Sequence, residues 1–90
     1  MFPRISDVHH VRDYVLHILF TNGEEADLDL RHRIVARRGV FTPLEDITYF
    51  SQVAVDPEAG TLVWPNGVDL DPDVLYSEAT GTPLPSPQTA

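Results

Sequence analysis

Histidine and carboxylate side chains are the groups in this chain that could bind a metal or transfer protons. The imidazoles are His9, His10, His17 and His32. Neighbouring residues of a strand point to opposite faces, so His9 and His10 cannot chelate one ion together. The strand pairing derived below sets His17 opposite Asp27, as metal ligands or an acid–base pair would be set. A cross-strand charge pair, worth about 0.2–1 kcal/mol, is the commoner arrangement, and we favour it.

Other catalytic patterns are missing from the sequence. The chain has no cysteine, its serines lie outside any G-x-S-x-G context, and its five glycines stand singly rather than in a phosphate-binding loop. The stretch DLDPD (69–73) spaces carboxylates like the start of an EF-hand, but Pro72 interrupts it and Thr80 stands where the bidentate glutamate belongs. We therefore expect no enzyme activity, no cofactor and no metal. A small metal protein or enzyme centred on His17 and Asp27 is the least favoured hypothesis.

The charge of the chain is acidic overall and basic in one place. Fourteen carboxylates oppose six basic residues, all of them arginine, which gives a net charge of −8. This balance disfavours direct binding to nucleic-acid phosphates. Four arginines nevertheless fall within RHRIVARR: Arg31, Arg33, Arg37 and Arg38. We expect a helix over 31–38 closed by Gly39, whose arginines either face solvent near the carboxyl end of the helix dipole or contact RNA or an acidic partner.

The element that positions His17 is a predicted hairpin. Residues 13–20 and 24–30 both alternate apolar and polar side chains around Thr21-Asn22-Gly23. A two-residue loop would set apolar residues against acidic ones, whereas a three-residue loop with Gly23 in the left-handed region buries apolar against apolar. The favoured register pairs Tyr14, Leu16 and Ile18 with Leu30, Leu28 and Ala26, and Val15, His17 and Leu19 with Asp29, Asp27 and Glu25. A further strand over 4–11 joins through a turn at Arg12-Asp13.

The middle of the chain predicts one helix and a second hairpin. Thr42 as N-cap, Pro43 at the first helical position and Glu45 as the capping-box residue predict a helix over 43–50. Residues 52–56 and 61–65 alternate around a short turn-rich loop, and we expect Asp56 to lie opposite Thr61.

The stretch VWPNGVDLDPDVLY (63–76) reads as a turn followed by a helix start. A proline cannot donate to a strand ladder, so the strand ends at Pro65 and the following Asn-Gly pair makes the turn. An aspartate before a proline is typical of an N-cap and first helical residue, and the helix should run to about Ala79. We therefore assign structural roles to Gly23, Trp64, Pro65, Asn66, Gly67, Asp71, Pro72 and Tyr76.

These elements fit one small domain. We expect a two-layer α+β domain over residues 1–79, with an antiparallel sheet built from two hairpins plus an N-terminal strand and with two or three short helices. Residues 80–90 have three prolines and no charge, which predicts a disordered tail. No apolar run approaches the ~20 residues that span a bilayer, and the first residues lack a signal-peptide core, so we expect a cytoplasmic protein.

The order of these motifs resembles a small bacterial family known as domain of unknown function 2442. Its pattern is a strand ending in Phe-x-Asp/Asn-Gly, then F-x-P-L-x-D, F-x-x-V-x-V-D and T-L-x-W-P-N-G-x-D-L-x-P-x-x-L-Y. The chain matches it at Phe20, Asn22 and Gly23; at Phe41, Pro43, Leu44 and Asp46; at Phe50, Val53, Val55 and Asp56; and throughout 61–76. The match covers nearly all of residues 8–79 and is most specific over 64–76. The resemblance implies a two-layer α+β domain with an antiparallel sheet.

On function the resemblance implies little. Some members of the family look like the front half of longer proteins that carry a C-terminal helix-turn-helix. Others are encoded alone beside a second small uncharacterised protein, in a pairing that looks like a toxin–antitoxin or regulatory operon. Nothing after Tyr76 in this sequence can build a DNA-binding helix pair, so a DNA role would need a partner. No catalytic residues carry over from the family.

The leading hypothesis is a non-enzymatic protein-binding or regulatory module, the antitoxin-like partner of a small basic protein, because an acidic domain can cover a basic partner by charge complementarity. The partner-binding residues we select are Glu25, Asp27, Asp29, Arg31, Arg33 and Arg37. The alternative is a nucleic-acid- or transcription-associated role through the arginine-rich segment 31–38. A homodimer through an unpaired sheet edge is a further expectation.

Overall fold

The computed structural model describes residues 3–81, which form two three-stranded antiparallel sheets and short helices. The first sheet contains β1 (Ile5–Arg12), β2 (Val15–Phe20) and β3 (Glu25–Asp29) in sequence order. The second contains β4 (Ala54–Asp56), β5 (Thr61–Val63) and β6 (Asp69–Leu70), also in sequence order. The helices are α1 (Arg31–Ile34), a 3₁₀ helix (Gly39–Glu45), α2 (Ile47–Phe50) and α3 (Pro72–Thr80). The expected α+β class is confirmed.

The two predicted hairpins lie in separate sheets, and each sheet gains a third strand. In the first sheet that strand is β1, which pairs with β2 as the sequence predicts. In the second sheet it is β6, which the sequence analysis did not identify. A strand of two residues shows no alternation, and here it lies between a turn signal and a helix-start signal, so the pattern gives no sign of it.

The register of the first hairpin is the one that burial favoured. Leu16 pairs with Leu28, and His17 pairs with Asp27. The second hairpin also follows its prediction, with Asp56 opposite Thr61. In both cases the apolar partners share the side of the sheet that faces the core, which fixes the register because a slip of one residue would turn every side chain over.

Two hairpin loops of the same design close the sheets. The amide of Gly23 donates to the carbonyl of Phe20 at 3.0 Å, and the amide of Gly67 donates to the carbonyl of Trp64 at 2.9 Å. Both glycines have a φ of 91°. In each loop the preceding asparagine accepts a hydrogen bond through its side-chain oxygen from the backbone amide two residues later. This three-residue loop ending in a positive-φ glycine is a common hairpin connection, and the φ of Gly23 lies in the positive region that the sequence predicts.

The predicted helix over 31–38 is wrong beyond its first turn. Helix α1 ends at Ile34, and Val35 is extended, with φ −74° and ψ 134°. Ala36 and Arg38 then take positive φ values of 66° and 67°. Adjacent β-branched residues are weak helix formers, and the extended turn lets Val35 pack beside the buried Ile34 against the core. Gly39 therefore begins the 3₁₀ helix instead of closing an α-helix.

The helix predicted over 43–50 is divided in two. Thr42 and Pro43 lie inside the 3₁₀ helix, and Asp46 is the N-cap of α2, with its carboxylate accepting from the Thr48 amide at 2.9 Å. Glu45 does not form the predicted capping box, because its carboxylate accepts from the Ala36 amide at 3.0 Å. Aspartate caps a helix at least as well as threonine, so Asp46, four residues after Thr42, begins the α-helix instead.

Helix α3 begins as predicted. The Asp71 carboxylate accepts from the Asp73 amide at 2.8 Å, and Pro72 occupies the first turn. The helix runs through Thr80 with Gly81 as its C-cap, which agrees with the predicted end at about Ala79. Thr80, the first residue of the predicted tail, therefore lies in the helix. The rest of the predicted tail, residues 82–90, lies outside the described residues.

A single hydrophobic cluster joins both sheets and the helices. Its fully buried side chains include Leu16, Ile18 and Phe20 from the first sheet, Leu62 from the second, and Phe50 and Leu75 from the helices. Trp64 is also buried, and its indole Nε1 donates to the Phe50 carbonyl at 2.8 Å. Among the described residues no helix is long and apolar enough to span a membrane.

The loop glycines give a direct stability test. A Cβ at Gly67 would meet no atom within 4 Å, so the cost of Gly67→Val comes from the positive φ alone. We expect it to lower the free energy of unfolding by about 1–3 kcal/mol in urea titrations. Gly67→Asn should cost less, because asparagine tolerates positive φ. Equal unfolding midpoints for Gly67→Val and the parent chain would show that the loop relaxes at no cost.

Candidate functional site

One side of the first sheet, which we call the outer face, carries most of the groups singled out in the sequence. Three rows of paired residues cross it: Asp7, Leu19 and Glu25; His9, His17 and Asp27; and Arg12, Val15 and Asp29. Each of these residues is exposed or half-buried, whereas the opposite side of the same strands is buried in the core. The outer face therefore combines four carboxylates with two imidazoles, one arginine and two half-buried aliphatic side chains.

His17 lies at the centre of the outer face with a carboxylate at each ring nitrogen. Its Nδ1 lies 2.6 Å from Asp27 Oδ1, and its Nε2 lies 2.6 Å from Glu25 Oε1. A neutral imidazole has one N–H, so only the protonated ring can donate both hydrogen bonds. The hydrogen bond to Asp27, followed by that to Glu25, raises the pKa of His17 above its ordinary value of 6.5. The group is a charge-assisted bridge between two carboxylates.

His9 completes the central row. Its ring centroid lies 5.0 Å from that of His17, with the planes tilted by 31°. The sequence placed His9 on a strand but could not place it beside His17. Two irregularities in the pairing of β1 with β2 shift the register, one near Ile5–Asp7 and one near His10–Arg12, and neither has a signature in the sequence. The opposite orientation predicted for His10 agrees with its ring contact to buried Phe50, at 6.0 Å.

The predicted pair of His17 and Asp27 is confirmed as a contact, and Glu25 is its unpredicted third member. Glu25 and Asp27 share one side of β3, so the cross-strand histidine can reach both. Within residues 3–81 no group of three or more histidine, cysteine, aspartate or glutamate side chains is arranged to hold a metal ion. What this arrangement can do chemically is hold a proton between two carboxylates at the protein surface.

The arginines of the predicted partner site make contacts of their own, and the Arg31 backbone amide also donates to the Asp29 carboxylate at 3.0 Å. Arg31 stacks over the Tyr14 ring, with its guanidinium carbon 4.9 Å from the ring centroid. Arg33 donates to Glu78 of α3 from Nε at 3.0 Å and from Nη2 at 2.8 Å. Arg37 donates from Nε to the His32 carbonyl at 3.2 Å. Each arginine thus has its own partner, and the acidic members Glu25, Asp27 and Asp29 alone lie on the outer face.

The predicted structural residues stabilise contacts between elements. Asn22 Nδ2 donates to the Tyr76 hydroxyl at 3.3 Å, and the Tyr76 ring meets Phe20 edge-on at 5.0 Å, which joins the first hairpin to α3. Tyr76 also donates to the Glu24 carboxylate, and this hydrogen bond raises the pKa of the phenol. Asn66 Nδ2 donates to the Val40 carbonyl at 3.0 Å, which joins the last hairpin to the 3₁₀ helix. The sequence suggested turns at both sites but not these contacts.

The hydrogen bonds of His17 to Asp27 and Glu25 can be tested by measuring the pKa of His17. We expect histidine NMR to show a pKa for His17 above 6.5, and Asp27→Asn to lower it because the hydrogen bond to Asp27 is the main cause. Because the folded-state pKa is raised, the stabilisation from His17 is complete below the unfolded pKa and is lost as pH rises through the folded-state pKa.

The loss of unfolding free energy in His17→Gln should therefore be larger at pH 5.5 than at pH 8.5. Asp73→Asn, on α3, serves as the control for Asp27→Asn, because it makes the same change in charge away from His17. A His17 pKa unaffected by Asp27→Asn would contradict the bridge, and so would a stability difference independent of pH.

Comparison with known proteins identifies the chain at the level of its family. The family model described as a protein of unknown function, DUF2442, matches residues 5–81, which include both sheets and all the helices described above. Searches of the curated proteins and of the solved structures found no match. The matched segment contains the two hairpin loops, the outer face and the capped helix α3. The chain belongs to the domain of unknown function 2442 family.

Proposed function

We propose that the protein is a non-enzymatic protein-binding module and that a basic partner protein docks on the outer face of its first sheet. The observation that carries the proposal is the concentration of Asp7, Glu25, Asp27 and Asp29 on one exposed sheet face. With a net charge of −8, the chain attracts basic surfaces over distances comparable to the Debye length, and this face gives the attraction a direction.

The composition of the outer face suits direct contact with a partner protein as well as long-range attraction to it. Val15 and Leu19 lie on either side of His17 along β2, are half-buried, and supply apolar area that a partner could cover. The charged groups beside them act mainly on partner choice and association rate, while the apolar side chains contribute affinity. The protonated His17 bridge holds Glu25 and Asp27 in place, so fewer side-chain rotamers would be lost on binding.

The finer parts of the proposal come from family membership. In this proposal the domain acts through its partner, as the antitoxin-like or regulatory half of a pair of small bacterial proteins in the cytoplasm. A small protein rich in lysine and arginine, encoded beside it, is the partner that fits the outer face.

A direct nucleic-acid role ranks below protein binding because the arginine-rich segment 31–38 does not form the continuous basic helix that this role requires. Arg33 is bound by Glu78, and α1 is one turn long, so the arginines of 31–38 do not line one helix face. Absence of salt-dependent binding to RNA or DNA in a mobility-shift titration would agree with this ranking.

Charge reversal on the outer face should abolish partner capture. We expect tagged parent protein, cross-linked in the native cells and treated with nuclease, to retain one stoichiometric small basic protein by mass spectrometry. Asp27→Lys/Asp29→Lys should reduce its recovery at least about tenfold, as reversed charges at an interface repel. The matched control is Glu58→Lys/Asp69→Lys, which makes the same change in net charge away from the outer face.

Folding is checked by the unfolding midpoint of each variant. The Asp29 carboxylate accepts from the Arg31 amide at 3.0 Å, so Asp27→Asn/Asp29→Asn provides a second variant that removes charge but keeps an acceptor oxygen. Recovery that is unchanged in both outer-face variants, or reduced equally in the control, would refute the assignment of this face. Capture that disappears with nuclease would favour the nucleic-acid alternative.

A further inference from the structure

Within residues 3–81, one backbone edge of β3 pairs with no other strand. At one end of the hairpin the Phe20 amide donates to the Glu24 carbonyl at 2.8 Å, and at the other the Leu30 amide donates to the Tyr14 carbonyl at 2.9 Å. Hydrogen-bonded and non-hydrogen-bonded pairs alternate along an antiparallel ladder. The even-numbered residues of β3 therefore direct their amides and carbonyls to β2, and the odd-numbered residues direct theirs away from it.

The odd-numbered residues of β3 are Glu25, Asp27 and Asp29. Within residues 3–81 no strand lies beyond β3 in the first sheet. The opposite edge differs, because the Ile5 amide of β1 donates to the Gly60 carbonyl at 3.0 Å and β4 lies alongside. The first sheet thus offers the edge of β3, which is five residues long, to another chain. The three residues whose backbone groups point away from β2 all have carboxylate side chains.

The two sides of this edge differ in chemistry. On the outer face the edge is bordered by the carboxylates of β3. On the inner side a shallow groove between β3 and the end of α3 is lined by Phe20, Ala26 and Ala79 together with Glu24, Glu25 and Thr80. A strand added to β3 would direct alternate side chains to the two sides. Its residues on one side would meet the carboxylates of the outer face, and its residues on the other would reach the apolar side chains of Phe20, Ala26 and Ala79 in the groove.

We propose that β3 binds an extended segment of the partner protein as a fourth strand, and that this segment alternates basic and apolar residues. The inference rests on the proposed function and adds to it the binding mode and the sequence pattern of the bound segment. Backbone hydrogen bonds to Glu25, Asp27 and Asp29 supply affinity in this mode of recognition, and the alternating side chains supply specificity.

A second copy of this chain fits the edge poorly. Antiparallel pairing of β3 with β3 of another copy would set Glu25, Asp27 and Asp29 of both chains side by side on one face, and like charges directly opposite destabilise a strand pair. At the edge of β3 we therefore propose a partner of opposite charge, in place of the homodimer expected from the sequence.

The test uses a synthetic nonapeptide of alternating lysine and valine with blocked termini. The control peptide has the same composition, with lysines and valines grouped in two blocks. We expect the alternating peptide to bind at least about tenfold more tightly in fluorescence anisotropy, and Asp27→Lys/Asp29→Lys to weaken it by a similar factor. Glu58→Lys/Asp69→Lys should leave its affinity within about twofold of the parent value.

Amide hydrogen exchange reports the binding mode. Bound alternating peptide should slow exchange at Glu25, Asp27 and Asp29 at least about tenfold, while the amides of Ala26 and Leu28, already bonded to β2, serve as internal references. Equal binding of both peptides without this protection would overturn the edge inference and leave the outer-face proposal standing. Failure of both peptides to bind would also overturn it, with the outer face still tested separately by partner capture. Protection of the same amides in concentrated protein alone would identify a second copy as the occupant.

Discussion

The fold depends on Phe50, a fully buried side chain at the end of α2. Its ring meets Tyr14, which directly precedes β2, edge-on at 5.3 Å and Trp64, which directly follows β5, at 5.6 Å, and its carbonyl accepts from the Trp64 indole. Aromatic pairs add about 0.5–1.5 kcal/mol beyond the area they bury. Together with the contact of β1 with β4, this aromatic cluster joins the two sheets on the side opposite the outer face.

Sequence patterns within one segment correctly predicted a hairpin register and a helix start, which short-range interactions determine. The alternation around Asn22-Gly23 gave the correct register of the first hairpin, and Asp71-Pro72 marked the start of α3. The helices predicted within 31–46 were wrong in their bounds because several weak helix signals compete there. Tertiary packing decides among them. Val35 leaves the helix to reach the core, and the Glu45 carboxylate bonds to a distant backbone amide instead of its own helix.

Of the candidate site, the sequence predicted the part that lies within the first hairpin. The pairing of His17 with Asp27 follows from a loop length, whereas the contact with His9 depends on irregular pairing that sequence does not encode in a readable way. The individual contacts of the arginines could not be predicted. Arg33, for example, bonds to Glu78, a partner distant in sequence that no pattern within one segment can reveal.

The two matching hairpin loops bear on how the chain folds. Each brings its strands together across three residues, and all four strand pairs within residues 3–81 join neighbours in sequence, so they cost little loop-closure entropy. β-Hairpins of this kind form in about 1–10 μs. Docking of the two meanders through Phe50 needs contacts between residues far apart in sequence, and such contacts form more slowly. Until then the apolar sides of both meanders stay open to water, which makes that docking step the moment when the nascent chain is most exposed to wrong association.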